Sequence, residues 1–385
     1  MERSGGKNFG FNLWLGQIII FTANMKILSL GLDKSILKKT SALAVRTVEY
    51  GDLVEKYTVI VPSQKNEKIE LSEKATAYGS GGDNKLSRFI KIYNLAKKLL
   101  REEKYDAITV QEQYYLALIG LCLAKKFKAG LEIQIHGRGK YGGLRKIVAD
   151  YIIPRASAIR AVSQRLAREL TGKYKIDREK ITVVPIYVEV KNKKPEIKSG
   201  ENDGKFIFLT ASRLVPVKNI GMQIEAMAEV IKKYPNIELW IIGDGPEKEK
   251  LKSEISNLKL EKKIIMLGWK DDLDKYYNMA DAFLLTSNAE GWGMVIVEAA
   301  SFGLPIIMTD VGCAGEVIKS GESGLVISPG DKQKLVEAML KIIEDENLRK
   351  KLGENAKLAV SRLPSKEQTL DLYKKSWGIA IVSKL

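Results

Sequence analysis

In 385 residues there are two cysteines, Cys122 and Cys313, and a single histidine, His136. Two thiols cannot build a disulfide framework. With no C-x-x-C pair and no Cys/His cluster, a structural zinc site is excluded as well, and a reducing, cytoplasmic setting is the expectation. Long apolar runs are scarce too. The one at the start, Leu13 to Ala23 behind Arg3 and Lys7, would reach about 17 Å as a helix, short of the roughly 30 Å hydrocarbon core. No small-residue cleavage pattern follows it as in a signal peptide, so residues 1–24 are expected to be an upstream extension outside the fold. A G-x-x-x-x-G-K-[ST] loop is missing, which excludes a P-loop NTPase.

Acid is scarce in one half only. Up to Gly200 there are 37 Lys and Arg against 20 Asp and Glu, and afterwards 26 against 27, so the net charge of +16 resides in the first half. Summed charge does not choose among an anionic membrane, a phosphorylated acceptor and nucleic acid. Nothing resembles a nucleic-acid module, so no nucleic-acid partner is expected. Arg138, Lys140, Arg145, Lys146, Arg155, Arg160, Arg165 and Arg168 interleave with Tyr141, Leu144, Ile147, Tyr151 and Ile152. That pattern reads as a peripheral surface toward anionic lipid, the alternative being an ordinary solvated basic face.

What the chain has in quantity is alternation. Short runs rich in β-branched residues alternate with longer helical patterns, the signature of parallel sheets built from βαβ units. In the first half strands are expected near Lys26–Leu30, Tyr57–Val61, Ala107–Val110, Leu131–Ile135, Ala158–Val162 and Ile181–Val184, with helices clearest over Asn84–Glu103, Tyr114–Phe127 and Gly143–Ile153. The polar stretch Lys191 to Gly204 reads as a linker. The alternation then restarts, with strands near Phe206–Thr210, Glu238–Ile242, Lys263–Leu267, Ala282–Thr286, Pro305–Thr309 and Leu325–Ile327. The expected organisation is α/β, with one domain over 25–195, a second over 205–363, and a last helix over 364–385 that crosses back to the first.

Chemistry concentrates after the strands of the second half. Arg213 and Lys218 follow its first strand, where fixed cations suit phosphates. Gly243-Asp244-Gly245-Pro246 follows its second and lets backbone approach a ligand, although it stops short of a full G-x-G-x-x-G spelling. Glu290-Gly-Trp-Gly-Met-Val-Ile-Val-Glu298 sets two carboxylates seven residues apart across a loop and a helix start. A carboxylate pair suits glycoside hydrolysis, and this arrangement suits hydrogen bonding to sugar and ribose hydroxyls at least as well. Asp272-Leu-Asp274 has the spelling of a metal motif, but it opens a helical pattern where Asp is a favoured cap.

Taken together, Arg213-Leu-Val-Pro-Val-Lys218-Asn, Gly243-Asp-Gly-Pro246, Ile265-Met-Leu-Gly268, Ala280 to Ser287, Glu290 to Glu298 and Gly303-Leu-Pro-Ile-Ile resemble glycosyltransferase family 4 in order and spacing, from about Phe206 to Ile343. The resemblance implies two Rossmann-like domains facing across a cleft, the GT-B fold, and a retaining glycosyltransferase that moves a sugar from a nucleotide-diphosphate donor to a glycan or lipid-linked acceptor. Arg213 and Lys218 would hold and neutralise the donor diphosphate. Glu290 and the backbone of Gly291, Gly293, Met294 and Val295 would hold the transferred sugar, Glu298 the ribose, with Gly243 and Gly268 also lining the donor. His136, in a His-Gly pair at a strand end, would face the donor sugar.

Front-face attack, with a donor phosphate oxygen helping to take the acceptor proton, requires no protein nucleophile, and two cations suffice for the leaving group. No cofactor and no metal are therefore expected. In the first half the turn Leu30-Gly31-Leu-Asp33-Lys-Ser35 departs from the family's glycine pair, and Pro185-Ile-Tyr-Val-Glu189 replaces its Asn-Gly-Val-Asp. Fold and charge suggest, by analogy, envelope polysaccharide or glycolipid assembly. The rival readings are another GT-B enzyme, a sugar phosphorylase or nucleotide-sugar epimerase, and a non-catalytic basic protein for membrane or nucleic acid.

Overall fold

The computed structural model describes residues 24–137, 142–189 and 204–384. The run Leu13 to Ala23, the side chains of Arg138, Lys140 and Tyr141, and nearly all of the linker lie outside these. Contacts divide the chain into two units, one reaching to Val184 and taking up the chain again from Lys366, the other Pro185–Ser365.

The first unit is built on an eight-stranded sheet: β1 (Lys26–Leu30), β2 (Lys56–Ser63), β3 (Glu67–Glu70), β4 (Ala75–Gly81), β5 (Ala107–Val110), β6 (Gly130–Ile135), β7 (Ala158–Ala161) and β8 (Ile181–Val183). Its order is β3-β4-β2-β1-β5-β6-β7-β8, and every pairing is parallel except β3 with β4. Strands β5, β6 and β7 are buried at every position, as parallel strands covered on both faces must be. The crossover helices Ala42–Asp52, Lys85–Glu102 and Gln164–Tyr174 start at Ser41, Asn84 and Ser163, whose side chains accept an amide hydrogen from the first turn. The helices Tyr115–Phe127 and Gly143–Ile152 follow β5 and β6.

The helix Lys366–Val382 packs over β5 to β8. Trp377 is fully buried there among Met25, Ile27, Tyr50 and Tyr57, with the rings of Tyr373 and Tyr50 stacked at 4.7 Å. The approach is close at Gly130, where an added Cβ would stand 2.1 Å from the Ala380 carbonyl oxygen.

A buried polar cluster ties the same helix down. Glu132 on β6 faces Arg160 on β7 at 3.3 Å. The hydroxyls of Thr109 and Ser376 donate to the Glu132 carboxylate, and the Arg160 guanidinium lies 3.7 Å from the Tyr373 ring centre. Arg160 is therefore not part of a surface facing lipid, and neither is Ile152; both are buried. Their positions on an inner strand and on the core face of a helix override the composition of the stretch around them.

The second unit carries a six-stranded, all-parallel sheet of β9 (Phe206–Ala211), β10 (Ile237–Ile242), β11 (Ile264–Gly268), β12 (Ala282–Leu285), β13 (Ile306–Thr309) and β14 (Leu325–Ile327), in the order β11-β10-β9-β12-β13-β14. Phe208, Leu239, Ile241 and Leu284 pack with Met227 and Met339 from the covering helices. The chain winds outward from β9 through β10 to β11, then returns to the other side of β9 for β12. This reversal opens a crevice beyond the carboxyl ends of β9 and β12, where open α/β sheets bind ligands.

The strands differ from the sequence reading by a residue or two at their ends. The pair β3 and β4 and the helix Ala42–Asp52 are additions. β3 reads Glu-Lys-Ile-Glu and is mostly exposed, and β4 is rich in small residues, so neither offers the apolar alternation by which strands are recognised.

Candidate functional site

Arg213 stands just past β9, Gly243 at the end of β10, Gly268 as the last residue of β11, and Glu290 five residues beyond β12. Four strand ends on one edge of one sheet thus carry the residues that the sequence singles out. Lys218 closes a short 3₁₀ turn, Pro216–Lys218, before the helix Ile220–Lys233. Its ammonium pairs with the Glu290 carboxylate, which also accepts from the Ser287 hydroxyl at 2.7 Å. Arg213 is exposed.

The two loops that meet in this ion pair are stitched together. The amide of Asn288 donates to the Val217 carbonyl at 2.7 Å. The Thr286 hydroxyl reaches the carbonyls of Lys218 and Asn219 at 3.2 and 3.0 Å, and Gln223 donates to Thr286 at 2.8 Å. Because Thr286 and Gln223 are buried, the spacing of Lys218 from Glu290 is held by groups that water does not loosen.

Gly293 adopts a left-handed φ of 94° and caps the helix Met294–Ser301. Behind it, the loop after β13 presses on the turn: the Cys313 amide donates to the Trp292 carbonyl at 2.9 Å, and a Cβ on Gly312 would lie 2.5 Å from that carbonyl oxygen. Amides at a helix start, with Glu290 before them and Glu298 one turn beyond, form a row of donors and acceptors at the site edge. Met294 is exposed there.

Glu298 accepts a hydrogen bond from the Tyr277 hydroxyl at 2.9 Å. Burial, and then the Glu298 charge, push the Tyr277 phenol well above its ordinary value, so it stays a donor at any pH of interest. Tyr277 carries no motif in the sequence; only the packing of the helix Asp274–Met279 against β9 and the ring of Phe302 brings it to Glu298.

Gly243 differs from its expected use. Its own amide donates to the Gly268 carbonyl at 2.9 Å and is not offered to a ligand. The glycine is needed because a Cβ there would meet the Ser212 carbonyl oxygen at 1.8 Å. Asp272 does not cap the helix as expected: the cap position is Leu273, and Asp272 accepts from the amide of Asp274 at 3.0 Å in an Asx turn just ahead of it. Among the described residues no group of three or more His, Cys, Asp or Glu side chains could hold a metal.

His136 belongs to the first unit, just past β6, and its side chain is exposed. The protein packed around it, and then the charge of buried Arg160, lower its pKa below the usual 6.5; water at its exposed face moderates that depression. At the end of neighbouring β5, Glu112 accepts from the amides of Tyr114, Tyr115 and Leu116 at 3.0, 3.1 and 2.6 Å. Burial raises its pKa against those hydrogen bonds. The glycine spelling G-x-G-x-x-G does occur, at Gly137, Gly139 and Gly142 between β6 and the helix Gly143–Ile152. Its interior, 138–141, lies outside the described residues.

Two family descriptions match consecutive stretches of the chain: "Glycosyltransferase Family 4" over residues 56–191 and "Glycosyl transferases group 1" over 192–359. Among its relatives, the N-acetyl-alpha-D-glucosaminyl L-malate synthase of Bacillus anthracis is 26% identical over 294 residues, covering 72% of this chain and 77% of that one. The alpha-monoglucosyldiacylglycerol synthase of Acholeplasma laidlawii is 26% identical over 329 residues, covering 76% and 78%. Among solved structures, the Anabaena protein HepE in complex with UDP-glucose superposes with a TM-score of 0.71 at 21% identity, covering 91% and 98%. The lipopolysaccharide outer core galactosyltransferase WaaB does so with 0.72 at 23%, covering 93% and 99%. Matches of this extent give the chain the GT-B fold.

Proposed function

The chain belongs to glycosyltransferase family 4, the retaining enzymes that draw on nucleotide-diphosphate sugars, and from that premise we propose how its residues divide the work. Arg213 and Lys218 take the donor diphosphate and neutralise the charge that gathers on it as the glycosidic bond breaks. Glu290 and the backbone from Gly291 through Gly293, Met294 and Val295 hold the transferred sugar. Glu298, kept in place by Tyr277, holds the ribose, and Gly243 and Gly268 shape the floor beneath the nucleotide. His136 acts on the donor sugar as a neutral hydrogen-bonding group; its assignment rests on the His136-Gly137 pair.

The observation that carries this reading is the junction of Lys218 with Glu290. One group of the pair suits phosphate and the other suits sugar hydroxyls, and a donor presents both within one molecule. Two cations give the leaving group its electrostatic support without a divalent ion, so we propose metal-independent transfer. No side chain is required as a nucleophile.

The acceptor is proposed to be a glycan or a lipid-linked molecule, in keeping with the relative named for a glucosyldiacylglycerol; the relative named for L-malate would favour a small acceptor instead. Envelope glycolipid or polysaccharide assembly at the cytoplasmic side is the corresponding setting. Because a neighbour was solved with UDP-glucose, a uridine donor is the first to try.

The test is a thermal-shift screen against UDP, GDP, ADP and their common sugar conjugates. A ligand at about 100 times its dissociation constant stabilises by about 2.7 kcal/mol. One nucleotide should shift the wild type, and Lys218→Ala and Glu298→Ala should lose the shift. If no nucleotide does, the donor site is not one. Phosphate-dependent sugar release, or an isomerised nucleotide sugar, would move the reading to a phosphorylase or an epimerase.

A further inference from the structure

Three successive helices of the first unit begin at the carboxyl edge of its sheet, and each leaves apolar side chains in water near its start. Lys85–Glu102 exposes Leu86, 70% accessible, and Ile90; Tyr115–Phe127 exposes Leu118; Gly143–Ile152 exposes Leu144 at 63%, Ile147 at 66% and, one turn on, Tyr151. Leu144, Ile147 and Tyr151 recur at three and four residues and form one stripe. Single exposed leucines need no explanation, but a stripe joined to its neighbours does.

The joints are visible. The rings of Phe89 and Tyr115 meet edge-on at 5.9 Å, and those of Tyr115 and Tyr114 at 5.7 Å. The Arg145 guanidinium lies 5.5 Å from the Tyr114 ring centre and 5.9 Å from that of Tyr115. Arg155 covers Tyr151 at 3.9 Å. Tyrosine rings with an arginine laid over each, beside exposed Leu and Ile, match the layering of a bilayer interface from headgroup to acyl chain.

Charge decides between occupants. The three helices hold ten Lys and Arg against two acids, Glu102 and Asp150. Asp150 is already paired with Lys146 at 2.9 Å and with Lys173 at 2.6 Å. A second copy of the chain would bring the same positive field against itself, and an uncharged partner would leave it unused; an anionic surface answers it. The band also differs from the one composition marks out, since Arg160 and Ile152 are in the core while Leu86, Phe89 and Ile90, far off in sequence, belong to it.

We infer that this band, from Leu86 and Ile90 through Leu118 to Leu144, Ile147 and Tyr151, is a docking surface for an anionic lipid bilayer, the side from which a lipid-linked acceptor reaches the first unit. Only the last clause rests on the transferase reading; the docking stands without it. Among the described residues no helix is long and apolar enough to cross a membrane; what is inferred is contact of this face with the bilayer surface.

The experiment is flotation of the full chain with vesicles of phosphatidylcholine, alone or with a third of phosphatidylglycerol, at low and physiological salt. The wild type should float with the anionic vesicles at least tenfold more than with the neutral ones and retain part of that binding at physiological salt. L144S/I147S and L86S/I90S should each lose at least tenfold while keeping the wild-type melting temperature and nucleotide-induced shift. Those two controls separate failure of docking from failure of the donor site. Equal binding to neutral vesicles, or a double variant that floats like the wild type, overturns the inference. So does a dimer that forms without lipid and that L144S/I147S dissolves, or retention of single-stranded RNA with the same sensitivity to the variants.

Discussion

At the scale of single residues, the Lys218–Glu290 pair makes two demands on any substitution. Lys218→Ala removes a cation aimed at developing charge, a change expected to lower kcat by about 100- to 1000-fold. It also leaves Glu290 without its counter-ion. Stopped assays of sugar transfer should register the first effect and chemical denaturation the second, with Lys218→Arg keeping stability better than activity. Tyr277→Phe deletes a hydrogen bond to a charged group and should weaken nucleotide binding by about tenfold, read by calorimetry, with the melting temperature little changed. An unaltered affinity would mean that Glu298 needs no orienting.

His136 carries a prediction in pH. Its folded pKa lies below the unfolded value of 6.5, so the unfolded chain takes up a proton first as pH falls. The related stability is intact above about 6.5 and drains away on acidification toward the folded value. Between pH 6 and 8 the imidazole is neutral, and kcat/KM should show no limb near 6.5. A limb there that vanishes in His136→Asn would mean the charged form acts.

At the scale of elements, glycines report where backbones touch. Gly243→Ala would drive a Cβ into the Ser212 carbonyl at a φ of 140° and should cost at least about 2 kcal/mol in a urea melt. Most elements could be read from sequence because parallel strands buried on both faces are uninterrupted apolar runs, as in Ala107–Val110 and Ala282–Leu285, with capped helices between them. β3 and β4 could not: an edge strand of Glu-Lys-Ile-Glu is half solvent, and β4 is held by its neighbours more than by its own side chains. The motif residues Arg213, Lys218, Glu290 and Glu298 were legible because charged side chains beside strand ends have few structural uses. Tyr277 and the true position of Arg160 were not, since each depends on a partner brought from another part of the chain.

Over the whole molecule, the Glu132–Arg160 cluster joins the first sheet to the helix Lys366–Val382. Glu132→Ala strands a buried guanidinium and should cost about 3–5 kcal/mol, with limited proteolysis near Lys366 as an independent sign that the helix has come away. Glu132→Gln, which keeps one acceptor oxygen and the side-chain shape but turns the other oxygen into a donor, should cost less. That helix has a further consequence in time. About 180 residues separate Val184 from Lys366, and at roughly 5–20 residues per second a ribosome needs about 10–35 s to cross them. Through that interval the surface meant for Trp377 stands open, while Pro185–Ser365 is completed and released. The half of the protein made first is finished last, and a chaperone waiting for this chain would find its apolar surface on the older half.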